Sequence, residues 1–353
     1  MESTQKLLER YTAPGYLFEK QDDGSVCCVA CGHRCSIPPG QSGNCRVRFN
    51  RDGILQVPFG YVSGIQCDPI EKKPFFHVRP GATAMSFGML GCNFHCMFCQ
   101  NWRTSQVPRE QASVPYFLQA SPEEIVRAAR EHGADYVVST YNEPLITSEW
   151  AVAVFREAKS AGLMTAYVSN GCGTPEALEY LLPWVDAFNI DLKCFDAARY
   201  RRLGGRLQPV LDTIVWLHAR GVWVEIVTLL VPGFNDSAEE IRKLTEFVRG
   251  VSPDIPWHVT AFRKNYRMTG VCDTAPEDLT RAVGLGREIG LRYIYAGNLP
   301  GDTGDLENTR CPDCGSRPPN SVSSNTRVML NIAASLHPSA RPGVDSSTHP
   351  TTA

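Results

Sequence analysis

Between about residue 67 and residue 300, short apolar runs alternate with amphipathic stretches. The runs Thr83–Leu90, Tyr136–Thr140, Met164–Ser169, Ala187–Leu192, Val222–Leu230 and Trp257–Phe262 predict strands, and Arg292–Ala296 predicts a further short one. Helices are expected between them. Ser121-Pro122-Glu123-Glu124 is a helix start, with a Ser cap, Pro in the first turn and early acids. Gly133 and Gly162 fit helix ends, each just before a strand. Six β/α units in series predict an α/β fold with a parallel sheet, closed or partly closed into a (β/α)6 barrel. No repeat at a solenoid period stands out.

The flanks differ in composition. Residues 1–66 are rich in Cys, Gly and polar residues with little periodicity, and residues 67–300 form the expected core. Residues 301–318 carry a C-x2-C segment. Residues 319–353 are rich in Ser, Pro and Thr and are expected to be disordered, apart from a short helix near Val328–Leu336.

Charge narrows the function classes. A net charge of −2 offers no basic field for nucleic acid or an anionic membrane. The longest apolar run, Ile226–Val231, is too short to span a bilayer. The first residues, MESTQKLLER, lack an apolar signal region, so secretion is not expected. Ten of the 14 cysteines lie at short spacings. Disulfides would need an oxidising compartment, so metal ligation by reduced thiolates in the cytoplasm is the preferred reading.

Polar motifs follow the carboxyl ends of the predicted strands, where such sheets keep their chemistry. Cys92 follows the first, Asn142-Glu143-Pro144 the second and Asn170-Gly171 the third; Asp191 and Lys193 end the fourth; Pro232-Gly233 and Asn235-Asp236 follow the fifth. Cys92, Cys96 and Cys99 have the spacing C-x3-C-x2-C. A cubane cluster has four irons and usually takes four thiolates. Three thiolates on one loop leave an iron open, and an open position marks a catalytic rather than a structural site. A zinc site here would need a fourth ligand, for which His95 is the nearest candidate.

At these residues the chain resembles the radical S-adenosylmethionine (SAM) superfamily, whose loop reads C-x3-C-x-aromatic-C with Phe98 in the aromatic place. The resemblance implies a [4Fe-4S] cluster whose open iron chelates SAM. One electron then cleaves SAM to methionine and a 5′-deoxyadenosyl radical that abstracts hydrogen. Tyr141-Asn142-Glu143-Pro144 resembles the family's GGEP, which implies that Glu143 receives the SAM ammonium group; Asn142 stands where the second glycine would be. Ser169-Asn170-Gly171 resembles the T-N-G of glycyl-radical-enzyme activases. Asp191 and Lys193 share one strand face. In the activases the equivalent Asp helps bind a monovalent cation and the Lys lies near SAM. His258 resembles the activase histidine near SAM.

The resemblance reaches further. Asp68-Pro-Ile-Glu-Lys-Lys-Pro74, Gln100-Asn101-Trp102, Val231-Pro-Gly-Phe-Asn-Asp-Ser237 and Gly297-Asn298 are similar to the AmmeMemoRadiSam-system radical SAM enzymes, related to the pyruvate formate-lyase activating enzymes. It spans about Cys28 to Gly315. It implies Memo-like and Ammecr-type partner proteins and an electron donor of flavodoxin or ferredoxin type, and it does not name a substrate. Glu71, Lys72 and Lys73 are expected to face solvent, or to lie near the cluster or a partner surface.

A second thiol set, Cys28, Cys31, Cys35 and Cys45, lies within 18 residues. It either holds a metal by itself or is completed by Cys311 and Cys314. Zinc and an auxiliary iron–sulfur cluster both fit. Cys27 is not expected to ligate. Cys67, Cys172, Cys194 and Cys272 are isolated and read as neutral thiols, with Cys172 or Cys194 placed to face the cavity. The alternative function is a zinc-bearing module that binds RNA or protein, using the basic runs Arg199, Arg201, Arg202, Arg206 and Arg263, Lys264, Arg267.

Overall fold

The computed structural model describes residues 8–110, 117–299, 304–311, 314 and 316. The segment expected to be disordered, with the helix near Val328–Leu336, lies outside the described residues.

One eight-stranded sheet carries the molecule. We number its strands β1 (Gly64–Pro69), β2 (Thr83–Gly88), β3 (Tyr136–Ser139), β4 (Met164–Ser169), β5 (Ala187–Asp191), β6 (Trp223–Leu230), β7 (Trp257–Ala261) and β8 (Ile294–Gly297). They lie side by side in chain order. Pairings from β2 to β8 are parallel, while β1 joins β2 antiparallel at the edge. The helices α1 (Pro122–Glu131), α2 (Ser148–Ser160), α3 (Pro175–Leu181), α4 (Ala197–Arg202), α5 (Leu207–Ala219), α6 (Ala238–Val251) and α7 (Pro276–Ile289) fill the crossovers. This is the expected α/β architecture with its parallel strands.

The local signals act as read. Ser121 caps α1 by accepting from Glu124 N while Glu124 bonds back to Ser121 N, a full capping box. Several strands stop earlier than their apolar runs. Met89 and Leu90 are buried, yet the ladder ends at Gly88. Gly91, at φ +98, turns the chain there, and a Cβ would meet Val47 at 2.8 Å. Strand β1 was not anticipated, because GIQCDP shows neither a continuous apolar run nor a clean alternation.

The Cys-rich region forms two three-stranded antiparallel sheets. One pairs Thr12–Pro14 and Phe49–Arg51 with Ile54–Pro58; the other pairs Phe18–Lys20 and Ser36–Ile37 with Val26–Cys28. Arg48 ties this region to the barrel. Its guanidinium bonds Glu149 on α2 through both terminal nitrogens, each at 2.7 Å, and Ile146 O at 3.0 Å. Both side chains are 1–2% exposed. Removing one partner strands the other charge without water. Glu149→Ala is expected to destabilise the protein by about 3–5 kcal/mol, read as a lower denaturant midpoint; an unchanged midpoint would show that the pair is not needed.

The barrel floor is closed by the segment after β1. Ile70 and Phe75 pack on Ala84, Tyr136, Val138, Ala166 and Ala187. Glu225 on β6, fully buried, accepts from Phe76 N and His77 N and from the Trp223 indole. It also bonds His258 Nε2 at 2.7 Å. Among the described residues no helix is long and apolar enough to cross a membrane.

Candidate active site

The loop after β2 presents Cys92, Cys96 and Cys99 to a cavity of about 240 Å³ at the carboxyl end of the sheet. Phe98, Asn142, Glu143, Asn170, Asp191 and Lys193 line it too, so residues far apart in the chain meet there. Each sits at or just past a parallel strand end, and the shared direction of the strands is what gathers them.

Burial raises the thiol pKa at all three cysteines: well above the ordinary value at Cys92, to about 12 at Cys96, and upward at Cys99. Left alone, such thiols stay protonated and inert. Yet donors are aimed at the sulfurs. Phe94 N donates to Cys92 Sγ at 3.3 Å, and Ser105 Oγ lies 3.2 Å from Cys99 Sγ. Donors on sulfur favour the thiolate, and metal binding releases the protons. Among the described residues no three His, Cys, Asp or Glu side chains converge on a single-ion site. His95, the candidate fourth zinc ligand, does not line the cavity. Its ring packs on Gly204, where a Cβ would come within 2.1 Å. Three thiolates lining one cavity suit a cubane, which spreads its ligands over several irons.

Glu143 is the corner between β3 and β4. Its Oε1 accepts from Leu145 N at 3.0 Å and Ser169 Oγ at 2.7 Å, while Oε2 accepts from Asn170 N at 2.8 Å. One acceptor position on Oε2 is left over. Burial raises its pKa to about 7 against these bonds. Asn142 accepts from Met89 N at 2.9 Å and so holds β2 to β3. The residue with left-handed backbone is Tyr141, at φ +69, one position before Asn142.

Asp191 and Lys193 form a direct ion pair, which raises the Lys193 pKa against its burial. Asn235 fixes their strand end, donating to Lys193 O at 2.7 Å and Leu229 O at 2.8 Å. Two buried polar atoms here have no partner: Asp191 Oδ1 in the cavity wall and Asn93 Nδ2 beside Cys92. An unpaired acceptor and a donor beside the thiols are what a bound polar ligand would complete, so the residues present fit both a cluster and SAM.

His258 does not line the cavity. It shares a face of β7 with Thr260, which lines the cavity, but it sits two residues deeper. There it bonds Glu225 and stacks on Tyr295 at 5.1 Å, part of the floor. Sequence similarity aligned the strand and could not set the depth.

The second thiol set lies beside the first. Cys28, Cys31 and Cys45 are buried and Cys35 is half-buried. Cys311 is half-buried and Cys314 exposed. Thr309, two residues before Cys311, bonds Tyr295 on the barrel floor, so the C-terminal pair attaches at the opposite end of the barrel from the N-terminal thiols. Cys172 is buried against the Cys31–Gly32 turn, with its carbonyl accepting from Gly32 N at 2.9 Å. Cys194 is buried, Cys27 and Cys67 half-buried and Cys272 exposed.

Four residues named in the sequence without a role in the site contribute to it. Tyr141, Gln100 and Asn101 line both this cavity and an adjoining hollow of about 690 Å³. Lys73 is 7% exposed, with its ammonium 3.2 Å from the Tyr141 hydroxyl and 3.6 Å from Asp68. The charged DPIEKK run could have flagged it, but only packing separates buried Lys73 from Lys72. Three of the seven residues in the basic runs are ion-paired: Arg199 with Glu240, Arg263 with Asp273 and Arg267 with Glu110.

The family model of the radical SAM superfamily matches residues 88–248. An uncharacterized protein of Methanocaldococcus jannaschii is 39% identical over 301 residues, covering 84% of this chain and 88% of that protein. The choline trimethylamine-lyase activating enzyme of Oleidesulfovibrio alaskensis is 28% identical over 199 residues, 56% of this chain and 59% of the relative. The pyruvate formate-lyase 1-activating enzyme of Escherichia coli is 23% identical over 241 residues, 61% of this chain and 93% of the relative. With the cysteine loop, the parallel strand ends and these homologues together, the chain belongs to the radical SAM superfamily and is a radical SAM enzyme related to lyase-activating enzymes.

Proposed function

We propose that the chain uses Cys92, Cys96 and Cys99 to hold the catalytic [4Fe-4S] cluster and abstracts hydrogen from a partner protein, as an AmmeMemoRadiSam-type enzyme. The observation that carries this reading is the single cavity shared by the three thiols, Glu143, Asn170, Asp191 and Lys193. When bound and reduced, the cluster supplies the electron that cleaves SAM to methionine and a 5′-deoxyadenosyl radical. The protein's part is placement. The free acceptor position of Glu143 receives the SAM ammonium group. Lys193, held by Asp191, sets a positive charge opposite the buried thiolates. Asn170 Nδ2 bonds Asn93 Oδ1 at 2.7 Å and so fixes the wall beside Cys92. Phe98, packed on Phe234 with ring centroids 5.6 Å apart, gives the cavity an apolar wall.

Asp191 Oδ1, unpaired and lining the cavity beside Lys193, supports a monovalent cation there. Cys28, Cys31, Cys35 and Cys45 are assigned to a second metal, with Cys311 and Cys314 outside it. A flavodoxin or ferredoxin donor, Memo-like and Ammecr-type partners and a reducing cytoplasm complete the reading. Anaerobic reconstitution, reduction and addition of SAM is expected to yield 5′-deoxyadenosine. Its absence with the cluster shown intact by iron and sulfide analysis would overturn the proposal.

A further inference from the structure

The loop that carries Cys92, Cys96 and Cys99 also has an outer face. Cys96 and Phe98 are buried, whereas the residues before each of them, His95 and Met97, are exposed, Met97 by 45%. Neither His95 nor Met97 lines the cavity of the thiols or the adjoining hollow. Alternate positions of the loop thus face opposite ways, one set toward the chemistry and the other toward solvent. The Cα atoms of Met97 and Cys96 are about 3.8 Å apart, so a partner touching Met97 stands one residue from a catalytic thiol. The open side of the cavity is needed by SAM and substrate, which leaves the outer face as the free approach.

Two basic arms are seated against this face. The first runs from Arg201 to Arg206. Its Leu203 O accepts from His95 N at 2.9 Å, and a Cβ on Gly204 or Gly205 would collide with the His95 or the Phe94 ring. The second runs from Arg263 to Arg267. Arg267 N donates to Met97 O at 3.0 Å, and Tyr266 stacks on Trp102 with ring centroids 5.3 Å apart. Part of the positive charge is already engaged. Arg263 and Arg267 pair with Asp273 and Glu110. Arg109 donates to Asn44 O at 2.7 Å and Cys92 O at 2.8 Å. Arg201, Arg202 and Lys264 are exposed and form no ion pair among the described residues. Asp196 and Asp273 feel the charges of Arg201 and Lys264 without pairing with them. These cations gather around one loop of a chain whose net charge is −2.

Resting on the function proposed above, we infer that this outer face, with Met97 at its centre and Arg201, Arg202 and Lys264 at its rim, docks an acidic one-electron carrier protein of flavodoxin or ferredoxin type. A flexible apolar side chain inside a charged rim is the build of a small, adaptable interface. Electron-transfer contacts are small, and complementary charge speeds their encounter. The same cations would attract RNA, but bases find no open platform here. The nearest rings, Trp102 and Tyr266, are half-buried, stacked on one another and overlaid by Arg103 and Arg267. One electron leaves the reduced carrier and enters the group held by Cys92, Cys96 and Cys99. The carrier is oxidised by one electron and that group reduced by one. No bond forms or breaks, and no proton is required.

The test uses the full chain, reconstituted anaerobically, with an acidic flavodoxin as the probe. Calorimetric binding of flavodoxin to the wild type is expected to weaken as salt is raised, because exposed charges are screened beyond about 8 Å at 0.15 M. Arg201→Glu/Arg202→Glu/Lys264→Glu is expected to raise the Kd for flavodoxin and to slow bleaching of the cluster by reduced flavodoxin, each at least tenfold. A small viologen reductant should bleach that variant as fast as the wild type. Arg201→Lys/Arg202→Lys keeps the charges and should keep the wild-type values. Equal affinity and bleaching with flavodoxin in the wild type and the charge-reversed protein would overturn the inference. Equally slow bleaching by viologen would also overturn it, since the fault would then lie in the cluster site. A charge-reversed protein that loses a labelled single-stranded RNA and keeps flavodoxin would give the surface to nucleic acid. Binding needs no turnover, so a wild type that binds flavodoxin through these charges and yields no 5′-deoxyadenosine would count against the function and leave the docking surface standing.

Discussion

Single replacement of Cys92, Cys96 or Cys99 by Ala is expected to reduce SAM cleavage to its uncatalysed background, a loss of roughly 10⁶-fold or more. Three thiolates are the fewest that leave one iron open while anchoring the rest. With two, the cluster is lost or opens a second position to water. The effect should be equal at the three positions, although their exposures differ: Cys96 is buried and the other two half-buried. Cys272→Ala, at an exposed position, serves as the matched control and should cleave SAM at the wild-type rate. The measurement is 5′-deoxyadenosine formed under argon, with iron and sulfide determined on the same samples. A single alanine variant that keeps both its iron and its turnover would remove that cysteine from the ligand set.

The second large effect concerns Glu143. Its carboxyl is buried and its pKa is raised to about 7, chiefly by desolvation. A SAM ammonium group at the remaining Oε2 position favours the ionised form, so binding drives a proton off. SAM affinity should therefore rise with pH through about 7 and weaken below it, where the carboxyl is neutral. Glu143→Gln removes the charge. It also turns an amide donor toward Leu145 N and Ser169 Oγ or toward Asn170 N, groups that now donate to the carboxylate. A charge-assisted bond is worth about 1.5–3 kcal/mol, or about 10- to 100-fold in affinity at pH 8. Calorimetry in buffers of different ionisation enthalpy should detect proton release near pH 7 in the wild type and none in the variant. An affinity that stays flat with pH in both proteins would place the ammonium group elsewhere.

The depth of burial around Glu143 explains why one residue serves two ends. Its three protein bonds hold the carboxyl ends of β3 and β4 together, and the position left over faces the cavity. A surface glutamate could do neither, since water would compete for each acceptor site. The same logic applies to Lys193, which stays charged in a buried place because Asp191 is bonded to it and Asn235 fixes the strand end behind it.

The sequence alone determined the parallel strands, the cysteine loop and the placing of Asn142, Glu143, Asn170, Asp191 and Lys193 at the strands' carboxyl ends. These follow from local rules: an apolar run buried in a parallel sheet must be a strand, and its polar successor must leave at the carboxyl end. Only the tertiary structure decided depth and neighbours. It sent His258 to the floor with Glu225, buried Lys73 under Tyr141, put the antiparallel β1 on the sheet edge, and set the N-terminal thiols against the catalytic loop while Cys311 went to the far end. A period of two fixes which face of a strand a residue takes, but not how far along the barrel axis it comes to rest. That distance is set by how the connecting segments pack, and contacts between residues far apart in the chain leave no local trace.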